Sequence, residues 1–150
     1  MKIPSLLIVA DRGQLLAYAI DRSTRMPSLR LIDSTEFAEG HQRLSEQVTD
    51  KAGAFPVTGS GGQANAAAER MTLVAELDTR TLRRVADRIT ALLKEHCVES
   101  WDFAAPAEIN RAILNSLQPS LRERLAQNLP LDLTHVPSKE LLGHFVRAKA

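Results

Sequence analysis

With 150 residues, 44% of them hydrophobic and 25% charged, the chain has the make-up of one globular domain able to bury its own core. Those values exclude a disordered or fibrous chain. Lys+Arg 19 against Asp+Glu 18 leaves a formal charge of +1, which argues neither for nor against a nucleic-acid partner.

The N-terminus reads MKIPSLLIVADRG. Its apolar run, Leu6 to Ala10, is too short for a signal-peptide core and stops at Asp11-Arg12. No stretch approaches the ~20 apolar residues of a membrane span, so a cytoplasmic protein is expected. Residues 5–10 (SLLIVA) suit a strand buried on both faces. Asp11-Arg12-Gly13 is a turn signal, and residues 14–20 (QLLAYAI) read as the second strand of a hairpin. Pro27 punctuates the next connection, before a shorter third strand over Leu29 to Ile32. Tyr18 and Trp101 read as core or half-buried strand residues.

From about Ser34 to Ala64 regular patterning disappears, and Gly40, Gly53, Pro56, Gly59, Gly61 and Gly62 accumulate. A structureless loop of roughly 30 residues is unusual in a compact domain and is generally functional or disordered. It is expected to be mobile over about 35–65, with room for a short helical piece around Phe37–Gln47. Helix follows from Ala66. Leu82, Val85, Ile89, Leu92 and Leu93 make one apolar face, with Asp78 as the N-cap of that segment. Arg80, Arg84 and Arg88, spaced by four, form a stripe on the opposite side. Cys97 rules out an intramolecular disulfide or a cysteine zinc cluster; near the end of this helix it is expected to be a buried, inert thiol.

Trp101 to Ala105 form a fourth strand closed by Pro106, which opens a helix running to about Leu117. Ser120 with Glu123 makes a capping box, Leu129–Leu133 a last strand, and Ser138 caps a C-terminal helix with Leu141, Leu142 and Phe145 inward. The expected fold is a single α/β domain spanning residues 1–150. A small mixed sheet of about five strands, an initial meander, a long loop and then alternating helices and strands make it up.

Little in this pattern carries chemistry. His41, His96, His135 and His144 show no metal-ligand spacing with one another or with Cys97, and neither metal nor cofactor is expected. Asp11, Asp102 and Asp132, near strand ends, read as turn formers or caps. Phosphate-binding glycine loops and nucleophile elbows are missing. The exception is Gly61-Gly62-Gln63. Two adjacent glycines allow backbone angles closed to other residues and a close approach to a ligand. Gln63 can then present both its N–H and its amide where the loop enters the helix.

That context resembles the Gly-Gly-Gln central domain of the archaeal and eukaryotic class I release factors. It resembles still more the bacterial single-domain relatives that include the family known as "protein required for attachment to host cells". The likeness to the latter covers most of the chain. It rests on LLIVADRGQLLAYAI, Asp50-x-x-Gly53, RRVADRITALLKE, WDFAAPAEINRAI and LPLDLTHVPSKELLGHF in that order. The family usually has Arg after the glycine matching Gly53, where this chain has Ala54.

The resemblance implies a release-factor-like domain that binds the ribosome, both rRNA and peptidyl-tRNA, and promotes hydrolysis of the peptidyl-tRNA ester. Gly61 and Gly62 would supply the backbone conformation and Gln63 an oxyanion-type donor and a positioned water. Arg70, Arg80, Arg83, Arg84 and Arg88 would contact phosphates. Against Glu69, Glu76, Asp78 and Asp87 these five arginines leave residues 59–90 only slightly basic. The length leaves no room for codon reading, so rescue of stalled ribosomes is the expected form. The alternatives are a non-catalytic module binding ribosome, RNA or protein, and an indirect factor in host-cell attachment.

Overall fold

The computed structural model describes residues 3–23, 25–37 and 62–149; within the helices that span 62–95 and 138–149, the side chains of residues 62–77 and 146–149 are not described. Five strands, β1 (Ser5–Ala10), β2 (Gln14–Asp21), β3 (Ser28–Glu36), β4 (Ser100–Ala104) and β5 (Leu125–Leu129), form one mixed sheet in the order β3-β2-β1-β4-β5. β1, β2 and β3 make the expected antiparallel meander, while β4 and β5 add parallel to β1. The helices are α1 (Gly62–Glu95), α2 (Ala107–Asn115), α3 (Pro119–Arg122) and α4 (Ser138–Lys149).

Both faces of the sheet are covered, which is why β1 is a continuous apolar run with Leu6 to Ala10 fully buried. One face carries Leu6, Ile8, Leu15 and Phe103 against Val85, Ile89 and Leu92 of α1 and Ile109 and Ile113 of α2. The other carries Leu7, Val9, Tyr18 and Ile20 against Leu141 and Phe145 of α4. Trp101 is buried in the first core as expected. Its indole N–H donates to the Leu121 carbonyl at 2.8 Å, and its ring tilts against Phe103 at 5.6 Å.

Several local expectations are corrected. The helix expected to restart at Asp78 is one 34-residue helix, because no Gly or Pro interrupts the chain after Gly62; the Asp78 carboxylate is used elsewhere. Of the loop expected over about 35–65, Thr35 and Glu36 extend β3, Phe37 is buried, and Gly62 to Asn65 belong to α1. The rest of it, and the helical piece placed at Phe37–Gln47 apart from Phe37 itself, lies outside the described residues.

The last strand ends rather than begins at Leu129, since Pro130 lacks the N–H a parallel ladder needs. α3 starts behind Gln118 with Pro119 in its first turn, so Ser120 is no cap. Ser138 is the first residue of α4, and the Pro137 carbonyl receives the opening N–H groups of Glu140 and Leu141. Asp102 is no turn residue but a buried member of β4, opposite Leu7 and Gln127.

Cys97 is exposed, at φ 50°. The Val98 N–H reaches back to the Leu93 carbonyl at 3.0 Å, and the Cys97 N–H to Lys94 at 3.3 Å. This is a Schellman stop with buried Leu93 and Val98 in the usual hydrophobic positions. The thiol faces out because the motif turns Val98, not Cys97, into the core.

Candidate functional site at the carboxyl edge of the sheet

α1 runs antiparallel to β1. At the amino edge the Ile3 N–H donates to the His96 carbonyl at 2.8 Å, and the Glu99 N–H to Pro4 at 3.0 Å. At the carboxyl edge Arg12, immediately beyond β1, donates from Nε to Asp78 of α1 at 2.7 Å and from a terminal nitrogen to Glu108 of α2 at 3.5 Å. Burial opposes the Arg12 charge, yet the hydrogen bonds and charges of Asp78 and Glu108 outweigh it and raise the guanidinium pKa further. The ion pair marks the level at which α1 passes the edge of the sheet. At 1.5 Å per residue, the 16 residues of α1 before Asp78 continue along the helix for about 24 Å.

Gly62 and Gln63 are the first two residues of that stretch, with Gly61 outside the described residues. Arg70 lies on the same stretch of backbone. Arg80 and Arg83 are exposed, as is Arg84, which has an interaction partner. Arg88 departs from the expected solvent stripe. It forks onto Asp33 of β3, with Nε at 3.2 Å and a second, shorter bond from Nη2. Burial would raise the Asp33 pKa, but hydrogen bonds from Arg88 and from the Thr35 hydroxyl, with the Arg88 charge, hold it below its ordinary value.

The carboxyl edge also assembles groups that are far apart in sequence. Asp11 closes the β1–β2 turn as expected, accepting from the N–H of Gly13 at 2.7 Å and of Gln14 at 2.8 Å. Its other oxygen lies 2.9 Å from the hydroxyl of Thr134, which is also 2.7 Å from Asp132. Asp11, Asp132 and His135 each offer one ligand atom, all within 4.8 Å of one another. Chain spacing gave no sign of this set, because Asp11 stands more than 120 residues from its partners. The only legible hint was the expectation that Asp11 and Asp132 lie near strand ends, of which Asp11 alone directly follows its strand.

Asn110 of α2 and Asn128 of β5 exchange amide hydrogen bonds at 2.8 Å each way, and the Asn110 amide donates again to the Leu129 carbonyl at 3.2 Å. They fix α2 on β5 below this edge. Among the described residues no helix is long and apolar enough to cross a membrane.

No curated protein matches the chain. Among solved structures, the crystal structure of an archaeal translation termination factor superposes with a TM-score of 0.41 at 14% identity. That alignment covers 97% of this chain and 38% of the factor, so the chain spans little more than a third of its length. The profile of a family described as "protein required for attachment to host cells" matches residues 6–145, from the start of the central strand to Phe145 of α4. The chain belongs to that family.

Proposed function

We propose that this protein is a ribosome-associated factor that promotes hydrolysis of peptidyl-tRNA on stalled ribosomes, with Gly61-Gly62-Gln63 as its active element and without stop-codon reading. The observation that supports this reading most is the position of Gly62 and Gln63 at the start of a continuous helix, about 24 Å along that helix from the Asp78 ion pair with Arg12. A reach of that kind suits delivery of a short backbone segment into a deep site made by another molecule. In the reaction, water adds to the ester carbonyl carbon and the bond to the tRNA ribose oxygen breaks. The peptide leaves as a carboxylic acid. The Gln63 N–H would donate to the oxygen on which charge develops and its amide would orient the water. The exposed Arg80 and Arg83 would hold phosphates nearer the sheet.

The test is release of peptide from 70S ribosomes carrying peptidyl-tRNA. Gln63→Ala, which keeps the backbone N–H and removes the amide that orients the water, is expected to lower the rate on the order of 100-fold, the effect of losing that positioning, with binding retained. Undiminished release by Gln63→Ala sinks the reading.

A second reading draws on the family description: a non-catalytic module, acting indirectly in host-cell attachment through an RNA or protein partner. It predicts binding that survives Gln63→Ala but weakens when Arg80 and Arg83 are neutralised.

A further inference from the structure

We propose that Asp11, Asp132 and His135 bind a divalent transition-metal cation at the carboxyl edge of the sheet. This inference is independent of the ribosomal reading.

Three ligand atoms within 4.8 Å of one another come close to the spacing of at most about 4.2 Å that one ion with bonds of about 2.1 Å demands, so binding requires the side chains to draw in by about half an ångström. The set is chemically mixed, two carboxylate oxygens and an imidazole nitrogen. That composition favours Mn, Fe or Zn over Ca or Mg, which take oxygen ligands almost throughout. Three protein ligands leave coordination positions open for water or a substrate oxygen.

Two further observations set the place apart from an ordinary surface turn. The first is topological. From β1 the chain turns to β2 on one side, and from β4 it crosses through α2 to β5 on the other. β1 and β4 are parallel neighbours, so the winding reverses beyond their carboxyl ends. Open α/β sheets bind ligands at such switch points. Asp11 follows β1 directly there, and Asp132 and His135 come to it from the segment between β5 and α4.

The second is electrostatic. The two carboxylates approach each other through the single hydroxyl of Thr134, which is 5% exposed and has one proton to give. The nearby cation, Arg12, is committed to Asp78 and Glu108. Among the described residues no Lys or Arg pairs with Asp11 or Asp132. Two carboxylates that share one hydroxyl proton, with the His135 imidazole as the basic group beside them, make a donor set suited to a cation.

The experiment is a titration of the full chain with Mn2+, following loss of the free-ion EPR signal, and repeated with Zn2+ by calorimetry. One ion per chain is expected, with a Tm rise of ~5 °C on saturation. Because Asp132 and His135 are exposed, Asp132→Asn and His135→Ala are expected to fold normally by circular dichroism while losing at least about tenfold in affinity. Bound Mn2+ should broaden the NMR ring signals of His135 before those of His96 and His144. Absence of binding at about 1 mM of either metal, or binding unchanged in both variants, overturns the proposal.

Discussion

Arg88 and Asp33 join the C-terminal part of α1 to the outermost strand of the meander, and a β-bulge makes their meeting geometrically feasible. The register between β2 and β3 shifts between Ala17 and Tyr18, so that Ala17 faces Asp33, Tyr18 faces Leu31, and Ile32 is left over. The extra residue lets two consecutive side chains turn to the α1 side: Ile32 packs on that core and Asp33 takes the guanidinium. Without the bulge, one of the two would point to the opposite face.

Arg88→Ala is expected to lower stability by about 1 kcal/mol, the upper end for a partly exposed but bidentate pair. Urea denaturation should show a lower midpoint at unchanged slope. Arg80→Ala and Arg83→Ala, at exposed positions, should leave the midpoint within about 0.5 kcal/mol of the parent.

Acid should weaken the same contact. The native Asp33 pKa lies below its ordinary value of 3.8, so the unfolded chain takes up this proton first as pH falls. The stabilisation is present in full above about pH 5 and is lost as pH drops through the ordinary value to the native one. The stability difference between parent and Arg88→Ala should therefore shrink between about pH 5 and pH 2. A difference that stays constant over that range would remove the Asp33 carboxylate from the explanation.

Cys97 sits at the position of a Schellman stop that glycine normally fills. Cys97→Gly should stabilise the domain by about 0.5–1 kcal/mol, because the left-handed conformation is nearly free for glycine. The native thiol should also react at once with a disulfide reagent under non-denaturing conditions. A thiol protected until unfolding would contradict the exposed placement.

Asn110 is buried and Asn128 is exposed, although they share one pair of hydrogen bonds. Asn110→Ala should cost about 2 kcal/mol, since it empties a buried position and strips a donor from the Leu129 carbonyl. Asn128→Ala leaves the buried Asn110 amide oxygen without its donor and should cost about 1–2 kcal/mol although Asn128 itself is exposed. Thermal melts of the two variants give the comparison directly.

What the sequence determined by itself were the features that depend on near neighbours and on burial. The unbroken run Leu6 to Ala10 announced a strand covered on both faces, Asp11-Arg12-Gly13 the hairpin, and Val85, Ile89 and Leu92 the inner face of α1. The family resemblance was legible for the same reason, as ordered local motifs along residues 6–145. Element ends were less legible where chain chemistry offered rival signals: Asp78 looked like a cap until Arg12 claimed it, and Cys97 looked like core until Val98 took that place. Only the tertiary structure decided which distant groups meet. Asp11 reaches Thr134, Asp132 and His135 because β1 lies at the centre of the sheet and the segment after β5 folds back over its carboxyl end. Arg88 leaves the solvent stripe because a single extra residue in β3 turns Asp33 toward it. Periodicity assigns a side chain to a face of its own element; strand order and register decide what that face meets.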